Sequence, residues 1–289
     1  CKMDLIDKFK IVTNSLYKFR YLKNREIDFE VLPNNIFNDS EPIFVLSTGR
    51  CGTKFLSKLF KIINAGLVYH EPYPKLTYAS KFIYDNMEKD LTSRKSAFIS
   101  SRFELIKDSF LKNKRYIETN PNITFFADAI NELFPNCRFI HLIRHPGDFV
   151  RSGIRRKYYQ NHDYDDGRII PLNIKTSNWE SYSQIKKIGW LWNETNQLVE
   201  NWKGSFHPEK IITVKSEELF NDLSEFEKIC QFCMIKTSNI TKLTKQYKIP
   251  VNVQKKGSFP PYDQWSISQK KELYDKAPLG IVYGYLKDV

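Results

Sequence analysis

A segment near residue 50 has the composition of an anion-binding loop. IFVLSTGRCGTKF, residues 43–55, reads as a buried strand, a turn with two glycines and the start of a helix. The first N–H groups of a helix have no partner inside it, the helix dipole adds positive potential, and glycine lets the backbone approach an anion closely. With Arg50, Lys54 and the Thr53 hydroxyl alongside, the segment predicts phosphate binding. Its alternative is an ordinary glycine turn between a strand and a helix.

A second segment has the same layout. RFIHLIRHPGDFVRS, residues 138–152, reads as a strand, a short turn and a helix. Arg144 falls at the strand end and Ser152 lies about two turns into the helix, so both can reach one phosphate at the carboxyl edge of a sheet, where ligands usually bind. A guanidinium fork and a hydroxyl suit a phosphate monoester. The alternative for Arg144 alone is a salt bridge at the strand end.

The first loop differs from that of an ATP-hydrolysing enzyme. The nucleotide loop of those enzymes reads GxxxxGK followed by Ser or Thr. Here the glycines are Gly49 and Gly52, and Thr53 precedes Lys54, so the hydroxyl that would hold Mg²⁺ is misplaced. ATP hydrolysis is therefore disfavoured.

The two segments together resemble the 5′-phosphosulfate loop and the 3′-phosphate motif of the sulfotransferases that use 3′-phosphoadenosine 5′-phosphosulfate (PAPS). RCGT, residues 50–53, is similar to that family's Lys/Arg-Ser-Gly-Thr core, and residues 134–152 are similar to its Arg…Ser segment. VKSEEL, residues 214–219, resembles a family strand that ends in Glu-Asp-Leu. KKG, residues 255–257, followed by Trp265, resembles the C-terminal loop that closes over the nucleotide phosphates. The resemblance covers residues 42–285.

The resemblance implies a single α/β domain with a central, mainly parallel sheet flanked by helices. It also implies transfer of a sulfuryl group from PAPS, as co-substrate and without a metal, to the hydroxyl of a carbohydrate, glycolipid or other hydroxylated metabolite. The residues that it assigns to the nucleotide are Arg50, Cys51, Gly52, Thr53, Lys54, Phe55, Arg144, Ser152, Lys255, Lys256 and Gly257.

The reaction also needs a base and positive charge near the leaving group. Arg50 and the neighbouring backbone N–H groups are placed to stabilise the charge of an in-line transfer. His70 and Glu71 follow the apolar strand 67–69 and therefore lie at the same sheet edge. Several relatives carry a Glu in a comparable position, so we favour Glu71 as the base, with His70 second. The alternatives are an ion pair that orders the loop and a residue that caps the strand.

One departure from the family concerns a cation. Relatives often have a Lys in a Lys-x-Pro element ahead of the second motif, whereas this chain reads ETNP at residues 118–121. Thr119 cannot replace that charge. Either Arg50 and Lys54 suffice, or a lysine from another loop enters the site.

Alternating strands and helices must position these residues. The patterns predict strands at 43–46, 67–69, 116–118, 137–143 and 211–214, and helices at 53–64, 80–114 with an interruption near Thr92 and Ser93, 125–133, 146–157, 179–202, 221–232 and 268–276. Residues 158–178 read as a long loop, which is either a candidate lid over the acceptor or a solvated loop. The side chains near its start that suit sugar rings and acidic groups are Arg155, Arg156, Tyr158, Tyr159 and His162. We expect an amphipathic helical extension at 1–40 and a sulfotransferase domain at 41–289. The N-terminal helix could lie on a membrane surface, but packing on its own domain is the commoner arrangement.

Composition narrows the remaining function classes. The 289 residues include 45 Lys and Arg against 33 Asp and Glu, a net charge of +12, which indicates an anionic partner. A nucleotide or phosphometabolite kinase, or a non-catalytic protein that binds glycans or nucleic acid, are the alternatives. The charges are scattered and match no nucleic-acid motif, so we expect no nucleic acid. Five cysteines without regular spacing favour a reducing, cytoplasmic location over a lumenal one, and Cys230 and Cys233 are predicted to be core residues. No apolar run is long enough for a membrane span.

Overall fold

The structure, a computed structural model, describes residues 33–88, 91–173, 178–249 and 258–287. Its centre is a parallel sheet of five strands: β1 (Ile43–Leu46), β2 (Leu67–His70), β3 (Tyr116–Thr119), β4 (Arg138–Ile143) and β5 (Ile211–Lys215). Their spatial order is β2-β3-β1-β4-β5, and every neighbouring pair is parallel. The predicted α/β fold with a central parallel sheet is confirmed.

Helices cover both faces of this sheet. In the described part of the chain they are α1 (Asn34–Asp39), α2 (Thr53–Ile62), α3 (Thr77–Asp85), α4 (Leu91–Leu111), α5 (Ala127–Leu133), α6 (Pro146–Ile154), α7 (Gln184–Lys203), α8 (Ser216–Asn221), α9 (Leu223–Phe232), α10 (Ile240–Tyr247), α11 (Ile267–Lys276) and α12 (Leu279–Val282). Short 3₁₀ turns lie at Pro121–Phe126, Trp179–Ser181, Pro208–Lys210 and Tyr262–Gln264.

Alternate residues of β1 supply the two halves of the core. Val45 packs into a cluster with Leu56 of α2 and Ile229 of α9. Phe44, on the opposite face, meets Phe98 of α4 edge-on at 5.9 Å between ring centroids. Successive side chains of a strand point to opposite faces, so a strand that is apolar throughout must be covered on both. The β1 strand is accordingly buried along its whole length.

The order of the strands determines where a ligand can bind. From β1 the chain passes to β2 and β3 on one side, and then crosses to β4 and β5 on the other. Crevices form at the carboxyl edge of a sheet where the connections diverge in this way. The loops that follow β1 and β4 therefore meet at this point, and these are the two loops that carry Arg50 and Arg144.

Several predicted helices have different bounds. The helix predicted at 221–232 is wrong at its start, because Asp222 ends α8 and its Oδ1 accepts a hydrogen bond from Ser224 N at 2.8 Å, capping α9. The helix predicted at 179–202 begins only at Gln184, where Ser183 provides the cap. The predicted start at residue 125 is also wrong, since a 3₁₀ turn capped by Asn120 precedes α5.

The paired cysteines near the C-terminal end of α9 belong to the core, as predicted. Cys230 and Cys233 are both fully buried and are not joined by a disulfide. Burial raises the pKa of each thiol to about 12. The predicted extension at 1–40 lies mostly outside the described residues, so the domain boundary at residue 41 stays a prediction.

Candidate active site

The loop after β1 is shaped by left-handed backbone conformations. Gly49, Arg50 and Gly52 have φ angles of 77°, 55° and 89°. A Cβ atom on Gly52 would lie 2.5 Å from the ring of Phe220, so the turn needs glycine there for both its conformation and its space. Leu56 N donates to Gly52 O, and the N–H groups between these residues consequently have no acceptor inside α2. Three successive backbone donors are thus available at one helix end.

The Cys51 side chain lies in the protein interior and does not line the cavity. It is fully buried, and its Sγ lies 3.1 Å from the Thr48 hydroxyl and 3.0 Å from Gly49 O. Burial raises the pKa of the thiol to about 11, which keeps it protonated at neutral pH. Only the backbone of Cys51 can therefore serve an anion, while its side chain anchors the loop in the core.

The structure brings the two sequence motifs into direct contact. Ser152 Oγ accepts hydrogen bonds from Arg50 Nε at 3.3 Å and from Arg156 Nη1 at 2.9 Å. Arg144 Nη1 donates to the backbone oxygen of Arg50 at 2.8 Å. Arg144 also forms a longer ion pair of 3.4 Å with Asp148. Three arginines and one hydroxyl from two distant segments thus form one cluster.

This crowding of positive charge has an electrostatic signature. Burial and the neighbouring Arg50 lower the pKa of the Arg156 guanidinium, with smaller contributions from Arg155 and Arg144. Like charges at short range repel one another and make each charged form less favourable. A bound anion would relieve this repulsion. The cluster is therefore electrostatically prepared for an anion such as a phosphate.

The segment after β5 holds the two loops together. Ser216 Oγ lies 2.5 Å from Cys51 O and 2.7 Å from Ile143 O, so one hydroxyl bridges the loop after β1 and the end of β4. The next residue, Glu217, accepts a hydrogen bond from His145 N at 2.9 Å. Ser216 and Glu217 belong to the VKSEEL segment at 214–219, which therefore holds in place the two loops that carry the arginine cluster.

Glu71 and His70 stand at the end of β2. Glu71 adopts a φ of 48°, an uncommon conformation for a residue other than glycine, and its side chain is 42% exposed. His70 Nδ1 lies 3.0 Å from Thr119 O, which can only accept a hydrogen bond. The same Nδ1 lies 3.0 Å from the Thr119 hydroxyl, and His70 Nε2 lies 4.0 Å from Glu71 Oε1.

A buried ion pair lies under this loop. Arg102 of α4 donates through Nε to both oxygens of Glu118 at 3.0 and 2.9 Å, and both side chains are fully buried. Arg102 Nη1 also donates to Pro74 O at 3.0 Å. Tyr116 OH donates to the same carboxylate at 2.6 Å, and burial raises the pKa of that phenol well above its ordinary value. The pair thus ties β3 to the loop that begins with Glu71.

The arginine cluster, Ser152, His70 and Glu71 border one cavity of about 570 Å³, within the usual size range of ligand pockets. Of the predicted residues it is lined by Arg50, Gly52, Thr53, Lys54, Phe55, His70, Glu71, Arg144 and Ser152. Cys51 does not line it, and Lys255, Lys256 and Gly257 lie outside the described residues.

Sequence reasoning missed three of the cations that line the cavity. They are Lys75, Arg151 and Arg168. Lys75 is four residues beyond Glu71 in the loop that follows β2, and Arg151 immediately precedes Ser152. Both positions adjoin predicted site residues, and this adjacency was the available signal. Arg168 lies within the loop at 158–178 that was a candidate lid, but the polar stretch before it has no periodicity that would single it out.

A family model described as "Sulfotransferase family" matches residues 61–239. The chain belongs to the sulfotransferase family. The matched range is more than half of the chain and includes Glu71, Arg144 and Ser152, whereas the loop after β1 precedes it. The predicted resemblance is confirmed.

Solved bacterial sulfotransferases are similar to this one at low identity. One from Alicyclobacillus acidocaldarius is 15% identical, with 86% of this chain and 97% of that chain covered and a TM-score of 0.49. One from Mycobacterium avium is 13% identical, with 86% and 77% covered and a TM-score of 0.49. One from Mycobacterium tuberculosis is 14% identical, with 82% and 77% covered and a TM-score of 0.47. No curated protein matches the chain.

The described His, Cys, Asp and Glu side chains of this sulfotransferase form no group of three or more that could hold a metal ion. None of the helices described above is both long and apolar enough to cross a membrane.

Proposed function

We propose that this sulfotransferase transfers the sulfuryl group of PAPS to the hydroxyl of an acceptor. The observation that carries the proposal is the contact between the two motifs, in which Ser152 Oγ accepts from Arg50 Nε and Arg144 donates to Arg50 O. Two anion-binding segments that meet in one cavity suit a nucleotide with phosphate groups at both ends of its ribose. A single phosphate loop would suit many other ligands.

The donor set fits the two charged ends of PAPS. Arg144 and Ser152 offer a guanidinium and a hydroxyl for the 3′-phosphate. The N–H groups at the start of α2, with Lys54 and Arg50, suit the 5′-phosphosulfate. When bound, PAPS supplies an activated sulfuryl group with a phosphate leaving group. Lys255, Lys256 and Gly257 stay predicted members of the nucleotide site.

Glu71 is the proposed general base, and its greater exposure supports it over His70. The His70 side chain is 24% exposed against 42% for Glu71, and its Nδ1 atom contacts Thr119 of β3. Glu71 borders the cavity with a substantially exposed carboxylate, and its left-handed backbone is the kind of strain found at functional sites. A carboxylate here can accept the proton of the acceptor hydroxyl as that oxygen attacks sulfur.

The leaving phosphate needs positive charge that Thr119 cannot give. Thr119 is fully buried and contacts His70, which fixes its role as structural. Arg50 and Lys54 both line the cavity beside the N-terminus of α2. Fixed cations and N–H groups of this kind stabilise developing charge without reorganising. We propose that these two residues provide the charge in place of the family's lysine.

Transfer of label from ³⁵S-PAPS to a library of hydroxylated acceptors tests the activity and the acceptor class together. The library contains carbohydrates, glycolipids and small hydroxylated metabolites, and Glu71→Gln tests the proposed base in the same assay. Calorimetry with adenosine 3′,5′-bisphosphate, ATP and a short oligonucleotide tests the nucleotide separately. Binding of the bisphosphate with label transfer supports the proposal. Binding of ATP alone would favour a kinase, and binding of the oligonucleotide alone a nucleic-acid-binding protein.

A further inference from the structure

One part of the cavity lining is a continuous cluster of cations and aromatic rings. The cationic–aromatic cluster consists of Lys75, Tyr158, His162, Tyr164 and Arg168, all of which line the cavity. The Arg168 guanidinium lies 3.6 Å above the Tyr158 ring, and Tyr158 meets His162 at 5.3 Å. His162 meets Tyr164 at 5.9 Å, and Lys75 Nζ lies 5.7 Å from the Tyr164 ring.

Neither cation of the cluster is fully neutralised by the protein. Arg168 Nε donates a hydrogen bond to Asp165 Oδ1 at 3.0 Å. Arg168 Nη2 lies 3.5 Å from His162 Nδ1, which is a long contact. Lys75 Nζ lies over aromatic rings, and among the described residues no carboxylate forms an ion pair with it. Lys75 can consequently accept an anion without first breaking an ion pair, and Arg168 can accept one through its Nη atoms while Nε stays paired with Asp165.

The charge around the whole cavity exceeds what the nucleotide needs. Among the described residues, eight Lys and Arg side chains line it, against the two carboxylates of Glu71 and Asp148, and Asp165 pairs with one of the eight, Arg168, from outside the lining. A bound PAPS would bring roughly four negative charges, about two on the 3′-phosphate and about two on the phosphosulfate. The remaining positive charge has no counterpart in the nucleotide. A second anionic group would balance it.

The cluster also lies within reach of the proposed base. Lys75 is four residues from Glu71, so their Cα atoms are at most about 14 Å apart even in a fully extended chain. A ring compound with one hydroxyl at Glu71 can therefore place another substituent at Lys75. Aromatic side chains between the two cations offer flat apolar faces on which such a ring can lie.

We propose that the acceptor is a hydroxylated ring compound that carries its own carboxylate, phosphate or sulfate group. Lys75 and Arg168 supply the positive charge for that group, and Tyr164, which is 45% exposed, packs against the ring. This assignment rests on the proposed function, because it takes Glu71 as the base and the Arg144–Ser152 end as the nucleotide site. An acidic saccharide has the required chemistry.

Calorimetry on the complex with adenosine 3′,5′-bisphosphate tests this assignment. The probes are two matched pairs that differ in charge, p-nitrophenyl β-D-glucuronide with the corresponding glucoside, and glucose 6-phosphate with glucose. The acidic member of at least one pair should bind roughly tenfold or more tightly than its neutral partner, as expected for a charge-assisted hydrogen bond. Lys75→Met and Arg168→Met should each abolish most of that difference while bisphosphate affinity is retained.

The control is Lys112→Met, which removes the same charge from an exposed residue of the chain outside this cavity. It should leave the preference within each pair unchanged. Equal binding within both pairs, or failure of both acidic probes to bind, overturns the acidic-acceptor assignment. Failure of the bisphosphate itself to bind overturns the proposed function instead, so the two failures are distinguishable.

Discussion

Replacing Arg144 with alanine should weaken binding of a 3′-phosphorylated nucleotide selectively. The Arg144 guanidinium already donates to Arg50 O at 2.8 Å, while its contact to Asp148 is a weaker 3.4 Å, so this second edge is available to a phosphate. Loss of a hydrogen bond to a charged group costs about 2 to 3 kcal/mol. Affinity for adenosine 3′,5′-bisphosphate should therefore fall by about 30- to 150-fold.

A nucleotide without the 3′-phosphate separates this contact from a general loosening of the loop. The affinity for adenosine 5′-phosphate should fall by no more than about threefold. This nucleotide has no 3′-phosphate for Arg144 to bind and is affected only through the contact between Arg144 and Arg50. Both nucleotides are titrated by calorimetry at one fixed ionic strength, because salt screens the phosphate contacts. The matched control is Arg138→Ala at the other end of β4, whose guanidinium donates to Glu209 O away from the cavity. Equal losses for the two nucleotides would refute the assignment of Arg144 to the 3′-phosphate.

Three other predictions address catalysis, the ion pair and pH. Glu71→Gln should lower turnover by about 100- to 10,000-fold, the usual contribution of a general base, with bisphosphate affinity nearly intact; an unchanged rate would remove Glu71 as the base. Glu118→Gln should reduce the free energy of unfolding by about 3 to 5 kcal/mol, because it leaves Arg102 buried without its counter-charge. A reduction of under about 1 kcal/mol in a urea titration would contradict this account. Burial lowers the pKa of His141 to about 4, so the unfolded state binds a proton first and stability should fall as pH drops from about 6.5 towards 4. Between pH 7 and 4.5 the free energy of unfolding of the wild type should fall by about 2 to 3 kcal/mol more than that of His141→Gln. Equal losses in urea titrations would show that His141 does not titrate in this way.

The sheet and its two main loops could be predicted because their signals are local. Strand β1 is apolar throughout and β4 is apolar except for Arg138 and His141, which is typical of strands covered on both faces. Gly49 and Gly52 mark a turn with left-handed conformations, and the spacing of Arg144 and Ser152 reflects two turns of α6. Carboxyl ends of neighbouring parallel strands then meet by geometry alone.

The remaining site residues depend on packing between distant segments. Arg102 lies within a long helix, where an arginine usually faces solvent, yet it is fully buried because Glu118 neutralises it. Lys75 and Arg168 are brought near each other only through the rings of Tyr158, His162 and Tyr164. No periodicity in the sequence encodes such a meeting. The start of α9 differs from the predicted residue 221 for a smaller reason, since Asp222 acts through a cap and not through hydrophobicity.

The contacts of the Ser216 hydroxyl distinguish two parts of the cavity lining. The loops that it joins resist evolutionary change, and the segment that it does not contact tolerates it. Because one hydroxyl spans Cys51 O and Ile143 O, neither adjoining loop can be lengthened without breaking its contact with the other. Tyr158 and Arg168 lie beyond α6, in a segment that this bridge does not touch. Insertions and substitutions there leave the junction of the motifs intact. A duplicated copy of this chain could thus acquire a new acceptor while keeping the same donor.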